Sequence, residues 1–458
     1  MTDDGVTKEF EGSRLGDPRR EHRLLALADA MGRAPEKSFP KALSPAGLEG
    51  AYRFFSNPKV EPDAVLSGHV QQTLARMREA PVCLALHDSS TVSFNSDDDR
   101  EGLSSTGAKQ QFVVHCSLAV AADGSRTPLG VLAASYHVPV KSRDGRHQER
   151  WSDHVREVHA LGPAPDQLVH VMDREADDYE LLALMTSIGS RFVVRVQFNR
   201  VLADDERLRD RLASAPLIAE REVKLSRRSS SNKGDKQRKI HPPREGRTAR
   251  LGIGATTVTL HRPGNADAAV APSLTLHLIR VWELDPPQGE KPVEWLLYTT
   301  EPIDTPEQIM RVVDWYRARW TIEEYFKALK TGCALERRQL GDLHALTNAI
   351  ALFLPIAWRL LLLKTEARTR PNAPATVVLD EVEIDVLRAA GRMRLPDRPT
   401  VHEAMLAIAA LGGHLKHNGA PGWQTLAHGY MTLRSLTEGW RLRLAVESGN
   451  LPAASDQS

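Results

Sequence analysis

Four polar residues between Tyr316 and Lys330 stand at spacings that could act on a phosphate. The stretch from Tyr316 to Cys333, YRARWTIEEYFKALKTGC, has no Pro, its only Gly is next to last, and its apolar residues recur at helical spacing, which predicts a helix. At about 100° per residue, Ile322, Tyr325, Phe326, Leu329 and Cys333 fall on one arc roughly 100° wide, the width of a face packed on a core. Tyr316, Arg319, Glu323 and Lys330 share a neighbouring arc about 60° wide. One carboxylate, two cations and a phenol thus point the same way. A carboxylate can hold a hard divalent cation, Arg's planar fork can grip two phosphate oxygens, and Lys supplies a point charge. Taken alone, Arg319 and Glu323 are also what a solvated helix face carries, for about a few tenths of a kcal/mol. Glu324 lies roughly 100° further round, outside the polar arc, and Lys327 extends the same surface.

Two more carboxylates follow runs of strand formers. VCLALHDSSTVSF, from Val82, carries Asp88 just after its apolar first half, and Gln167–Met172 reads as a short strand ending at Asp173. Strands are expected at 111–121 and 127–138, joined by the turn AADGS, then helices at Arg146–Leu161 and Glu175–Ser187 and a strand at Arg191–Gln197. Three strands in a meander, helix, strand, helix, strand is the order of a ribonuclease H-like core. In that architecture one acid sits on the first strand, one follows the fourth and a third arrives on a later helix. Asp88, Asp173 and Glu323 hold those places. Mg²⁺ and Mn²⁺ prefer oxygen ligands, and three such acids can hold two ions about 3.5 to 4 Å apart, one activating the attacking oxygen and the other stabilising the leaving one. The chemistry implied is phosphodiester hydrolysis and transesterification. Glu175, Asp177 and Asp178 compete with Asp173, which alone follows directly on the apolar strand.

The elements that must position these acids belong to a chain of 458 residues, long enough for two or three domains. Its 41% hydrophobic and 26% charged residues are those of a folded soluble protein. Sixty basic against fifty-nine acidic residues leave a net charge of +1, so a nucleic-acid partner has to be sought locally. Arg227–Arg250 holds nine Lys and Arg, among them Lys236, Arg238 and Lys239, against two acids. A phosphate backbone could meet such an exposed loop without the loop being rigid. Cys83, Cys116 and Cys333 form no CxxC pair and fit a reducing cytosol as buried apolar residues. MTDDGVTKEF lacks the basic start and apolar run of a secretory signal, so a cytoplasmic protein is expected. Ala349–Leu363, interrupted by Pro355 and Arg359, reads as a buried helix with no membrane partner.

Short helices at Pro18–Arg33, Pro45–Phe55 and Pro62–Glu79, with a basic bias from Arg19, Arg20, Arg23, Arg33, Lys37, Lys41, Arg53 and Lys59, suit a small DNA-binding bundle. Between the fifth strand and the signature helix, strands at 251–262, 273–283 and 293–300 predict a β-rich insertion. After Cys333 helices are expected at Leu343–Thr365, Leu379–Arg392, Val401–Leu411 and Leu433–Val446, with a boundary loop at Glu366–Ala375. The fold expected is α/β: an N-terminal helical domain at 1–79, a ribonuclease H-like catalytic domain at 80–366 with its insertion at about 198–300, and a C-terminal helical domain at 367–458.

Tyr, two residues, Arg, three residues, Glu, six residues, Lys resembles the Tyr-Arg-Glu-Lys signature of bacterial cut-and-paste DDE transposases of the insertion-sequence-four family. RLGDPRREHRLLALA with GAYRFFSNPKV, LHDSS around Asp88 and VMDREAD around Asp173 resemble the transposon-five type within it, over nearly all of residues 10–450. The resemblance implies Asp88, Asp173 and Glu323 as catalytic metal ligands for two Mg²⁺ or Mn²⁺ ions. It implies double-stranded transposon ends and target DNA as substrates, end binding by the N-terminal domain and a homodimer contact in the C-terminal part. It also implies that Trp295 receives a flipped base during hairpin formation, that Trp320 stacks nearby, and that Arg174 and Arg195 contact DNA or the active site. The reaction expected is nicking at a transposon end, hairpin formation and resolution, and strand transfer. The alternatives are a domesticated nuclease that cleaves without joining and a non-catalytic end-binding repressor.

Overall fold

The computed structural model describes residues 6–95, 100–106, 109–139, 146–227, 243–390, 392–415 and 419–448. A 3-10 turn at Thr7–Phe10 precedes helices α1 (Pro18–Arg33), α2 (Phe39–Ala42), α3 (Pro45–Phe55) and α4 (Pro62–Arg78). Proline opens α1, α3 and α4, where its missing N–H costs nothing, and the side chains of Asp17 and Ser44 accept N–H groups of the first turns of α1 and α3. Strands β1 (Cys83–Asn95), β2 (Ser104–Thr106), β3 (Lys109–Ala121) and β4 (Pro128–His137) follow, then α5 (Arg146–Ala160), β5 (Leu168–Met172), α6 (Tyr179–Ser187), β6 (Arg191–Arg195) and α7 (Leu208–Ala213). The insertion forms β7 (Ala219–Leu225), β8 (Arg247–His261), β9 (Ser273–Glu283) and β10 (Glu294–Thr299). The chain closes with α8 (Pro306–Ala318), α9 (Trp320–Lys327), a π-turn at Ala328–Gly332, α10 (Leu343–Thr369), α11 (Glu381–Ala389), α12 (Val401–Leu411) and α13 (Trp423–Glu447).

The signature stretch is not the single helix its periodicity predicts. α8 starts at Pro306 behind a capping box in which Thr305 and Gln308 satisfy each other's backbone N–H groups. It ends at Arg319, whose N–H bonds the Tyr316 carbonyl at 3.1 Å. That tight turn, and the wider π-turn after Lys327, break the uniform 100° step on which the polar arc was drawn. Tyr316 accordingly turns inward, 6% exposed, and Trp320 outward, 54% exposed. Other bounds moved as well, α13 beginning at Trp423 rather than at the expected Leu433. The helix expected from Glu175 begins only at Tyr179, behind a 3-10 turn at Arg174–Ala176, and α10 runs to Thr369, through the start of the expected loop.

The chain divides into two compact units. The first comprises Met1–Cys83, Asp88–Arg143 and Trp320–Ser458, so the N-terminal and C-terminal helices share one body with β2, β3 and β4. β3 pairs antiparallel with β2 and β4 and neighbours β1. The core helix is α10, long and apolar enough by length and composition to cross a membrane, yet with 89% of its apolar window buried. Against it, Trp358 Nε1 donates to the Pro128 carbonyl at 2.8 Å. α4 lies so close to β4 that a Cβ on Gly130, φ +146°, would sit 1.9 Å from Thr73 Oγ1.

The second unit comprises Leu84–His87 and Asp144–Arg319. Its strand order is β1-β5-β6-β10-β9-β8-β7, with β5 and β6 parallel and each pair from β6 to β7 antiparallel. The insertion therefore extends the sheet, Leu297 of β10 standing opposite Arg195 of β6. Trp151, Met172, Tyr179, Phe192, Leu278 and Tyr298 lie in its buried core.

Candidate active site

In the first unit, Asp88 is where β1 leaves the core: Cys83–His87 are all buried, and Asp88 is half-buried. Its Oδ1 accepts the Ser89 N–H at 2.8 Å. Burial pushes the Cys116 thiol far up, and the nearby Asp88 carboxylate adds to the shift. Lys330, on the π-turn, donates its Nζ to the Thr91 carbonyl of β1 and pairs with Glu336 at 3.9 Å. Glu336 in turn accepts the Ser93 N–H at 3.1 Å. The strand of Asp88 and the end of the signature are thereby stitched together. Burial lowers the Lys330 pKa, and Glu336 pulls it back up. Glu323 is half-buried on α9, whereas Glu324 is held by Arg368 of α10 at 3.3 Å. Lys327 Nζ lies 5.5 Å from the ring centre of the exposed Trp320.

In the second unit, Asp173 follows β5 directly and caps the 3-10 turn, its Oδ1 accepting the Glu175 N–H at 2.8 Å. Each competing acid has another task. Glu175 pairs with Arg150 at 3.1 Å, and Asp178 caps α6. Asp177 is buried, accepts the N–H groups of Gln197 and Phe198 at 2.6 and 2.9 Å, and pairs with Arg200 at 2.8 Å. Among the described residues Asp173 makes no ion pair. Arg174 beside it is exposed. The Trp295 and Tyr316 rings meet edge-on at 5.6 Å, and Arg195 Nη2 reaches the Glu294 carbonyl at 3.5 Å. Arg319 ends this unit, half-buried. Lys236, Arg238 and Lys239 lie outside the described residues.

Sequence reasoning passed over two features. The first is a buried histidine pair: His87 Nε2 and His170 Nδ1 are 2.8 Å apart, tying β1 to β5 immediately ahead of Asp88 and three residues ahead of Asp173. Burial holds the His170 pKa down at about 4 and that of His87 well below the usual value, so the pair is uncharged at neutral pH. A histidine inside an otherwise apolar strand run was the available signal. The second is Arg338, in the string LERRQL, which is buried despite its charge.

Carboxylate oxygens are the donors a hard divalent cation prefers, and the half-buried Asp173 carboxylate is oriented by a backbone N–H. Residues 3–60 match the transposase DNA-binding family and residues 81–356 the transposase DDE domain family. The second match covers more than half of the chain, so the protein belongs to the DDE transposases, enzymes that catalyse DNA cleavage and strand transfer. A cryo-EM structure of piggyBac transposase, in a synaptic complex with hairpin DNA, is similar over 99% of this chain and 84% of that one, at 10% identity and a TM-score of 0.36. A likeness that distant says nothing about the geometry of this site.

Proposed function

We propose that this DDE transposase is of the insertion-sequence-four family, transposon-five type. On this reading it nicks DNA at a transposon end, uses the new 3′-OH to form a hairpin, reopens it and joins the end to target DNA. The catalytic core is of the ribonuclease H-like kind, a reading supported by β3 neighbouring β1 and pairing with β4 in one unit and by the order β1-β5-β6 in the other. Asp88, Asp173 and Glu323 hold two Mg²⁺ or Mn²⁺ ions. The observation that favours Asp173 over its neighbours is that Glu175 and Asp177 are each held in an ion pair, whereas Asp173 makes none among the described residues. When bound, the ions activate the attacking oxygen and neutralise the leaving one. The residues around them orient and bind: the Glu175 N–H fixes the Asp173 carboxylate, and Lys330, Arg319 and Arg174 grip phosphate oxygens. Trp295 and Trp320 offer aromatic faces to unstacked bases. The protein works on double-stranded DNA in the cytoplasm, and as a homodimer; the dimer alone is favoured by the exposed Leu436, Leu442, Leu444 and Val446 on α13.

The test is a gel shift run beside a nicking assay. Asp88→Ala, Asp173→Ala and Glu323→Ala each remove a metal ligand and should abolish cleavage while leaving DNA binding largely intact. Cleavage at near wild-type rate by any one of them sinks the triad.

A further inference from the structure

We infer that Phe198, on the loop that follows β6 in the second unit, is a stacking face for an unpaired base at the end of the DNA being processed. The inference rests on the reading of the chain as a DNA transposase and deepens it by adding a nucleobase contact at the edge of the sheet that carries Asp173. β5 and β6 run parallel with Met172 opposite Val194, so Asp173 and Arg195 leave the sheet side by side. Leu297 of the antiparallel β10 stands opposite Arg195, and the Val196 N–H extends the pairing to the Leu296 carbonyl at 2.8 Å. Continuing that register sets Trp295 level with Gln197, so Asp173, Trp295 and Phe198 share one edge of the sheet.

Phe198 is 50% exposed, and among the described residues it is the only exposed aromatic side chain of that unit. The loop beneath it is nonetheless fixed. The N–H groups of Gln197 and Phe198 donate to the buried Asp177 carboxylate at 2.6 and 2.9 Å. Asp177 also holds Arg200, whose guanidinium carbon lies 5.4 Å from the centre of the Phe198 ring. Asn199 Oδ1 accepts the Arg209 N–H at 2.9 Å, and Arg209 pairs at 3.2 Å with Glu294, the residue before Trp295. A ring carried on a fixed backbone loses little entropy when a base stacks on it. The guanidinium beside it is the kind of cation that accompanies aromatic platforms for single-stranded nucleic acid. Opening or hairpinning a duplex end forces bases out of the stack, and an unstacked base gains free energy from a π-face that it meets there. The Trp295 ring is half-buried and met edge-on by Tyr316 at 5.6 Å, which leaves Phe198 the more open face at this edge.

The experiment measures dissociation constants for a labelled random-sequence duplex with blunt ends and for the same duplex carrying a short unpaired tail, with the full chain, Phe198→Leu and Phe198→Trp. Leu keeps an apolar side chain without a ring and Trp keeps a ring, and because the position is exposed both variants should melt close to wild type. The wild type should bind the tailed duplex more tightly than the blunt one. Phe198→Leu should weaken binding of the tailed duplex by about five- to a hundredfold, the range for one stacked base, and leave binding of the blunt duplex unchanged. Phe198→Trp should keep the preference for the tail. A wild type that binds both duplexes equally, a Phe198→Leu variant that binds the tail as wild type does or loses both duplexes alike, or a loss in Phe198→Trp as large as in Phe198→Leu overturns the stacking face. Nicking by the wild type with divalent metal is scored separately. A chain that nicks but shows no role for Phe198 loses only the stacking face, and one that does not nick loses the transposase reading whatever Phe198 does.

Discussion

Glu9 is the residue through which acid should loosen the N-terminal part of the molecule. It is buried, its carboxylate accepts from Arg76 Nη1 and Nη2 at 2.8 and 3.0 Å, and it accepts from His69 Nδ1. His69 Nε2 accepts the Val131 N–H at 2.9 Å, so the imidazole is the neutral Nδ1–H tautomer, consistent with burial lowering its pKa. The negative charge of Glu9 is thus balanced by Arg76. Burial alone would raise the Glu9 pKa, but the hydrogen bonds and charges of His69 and Arg76 outweigh it and hold the value down at about 2, against 4.5 for a free glutamate. A depressed carboxylate pKa adds stability above the unfolded value and loses it as pH falls through the folded one. At about 1.4 kcal/mol per unit, the contribution is about 3 kcal/mol at pH 6 and only about 1 kcal/mol at pH 3.

Glu9→Gln keeps the shape of the side chain and removes the charge. Denaturant titrations of wild type and Glu9→Gln should therefore differ by about 3 kcal/mol at pH 6, with the gap closing by more than half at pH 3. The gap is read as a difference between two proteins at one pH, so other groups titrating in that range cancel. A gap that stays constant from pH 6 to pH 3, or one below about 1 kcal/mol at pH 6, would refute the assignment of the charge pair to Glu9 and Arg76.

Asn348→Ala should destabilise by about 1 to 3 kcal/mol in a denaturant titration, because its Nδ2 donates to the carbonyls of both Phe55 and Val60 at 2.9 Å and would leave them unpaired inside the protein. Trp295→Ala should still nick DNA but form hairpin roughly ten- to a hundredfold more slowly, since a stacked base is worth about 1 to 3 kcal/mol and each 1.4 kcal/mol is about tenfold in rate. A balanced loss of both products together with a lower melting temperature would make Trp295 a packing residue for Tyr316 instead.

Much of the fold could be read in the sequence because local chemistry marks its ends. α1, α3 and α12 have the expected bounds, each behind a proline or a capping side chain such as Thr400. β1, β5 and β9 were visible as runs of strand formers. The insertion's strands were legible too, but not their partner, because the pairing of β10 with β6 joins segments a hundred residues apart and leaves no trace in either one. Asp173 stood among four candidates in the sequence and was set apart only by following directly on the strand; the ion pairs of Glu175 and Asp177 were not legible there, because their partners Arg150 and Arg200 lie more than twenty residues away.

The π-turn at Ala328–Gly332 was invisible for a different reason. A change from one hydrogen-bond register to the next adds little to the side-chain pattern, so Leu329 and Cys333 still fall on the apolar face while the backbone beneath them has changed. Its consequence is large, because Lys330 sits within it and Ala334 follows with φ +47°, a conformation that a residue with a Cβ adopts at a cost. A strained turn persists only where its surroundings hold it from several sides. Here Lys330 bonds the strand of Asp88, Arg338 bonds the Cys333 carbonyl and the Lys37 segment, and the Cys333 side chain is fully buried. The contacts that fix the turn are therefore the same ones that join the end of the signature to β1 and to the N-terminal segment.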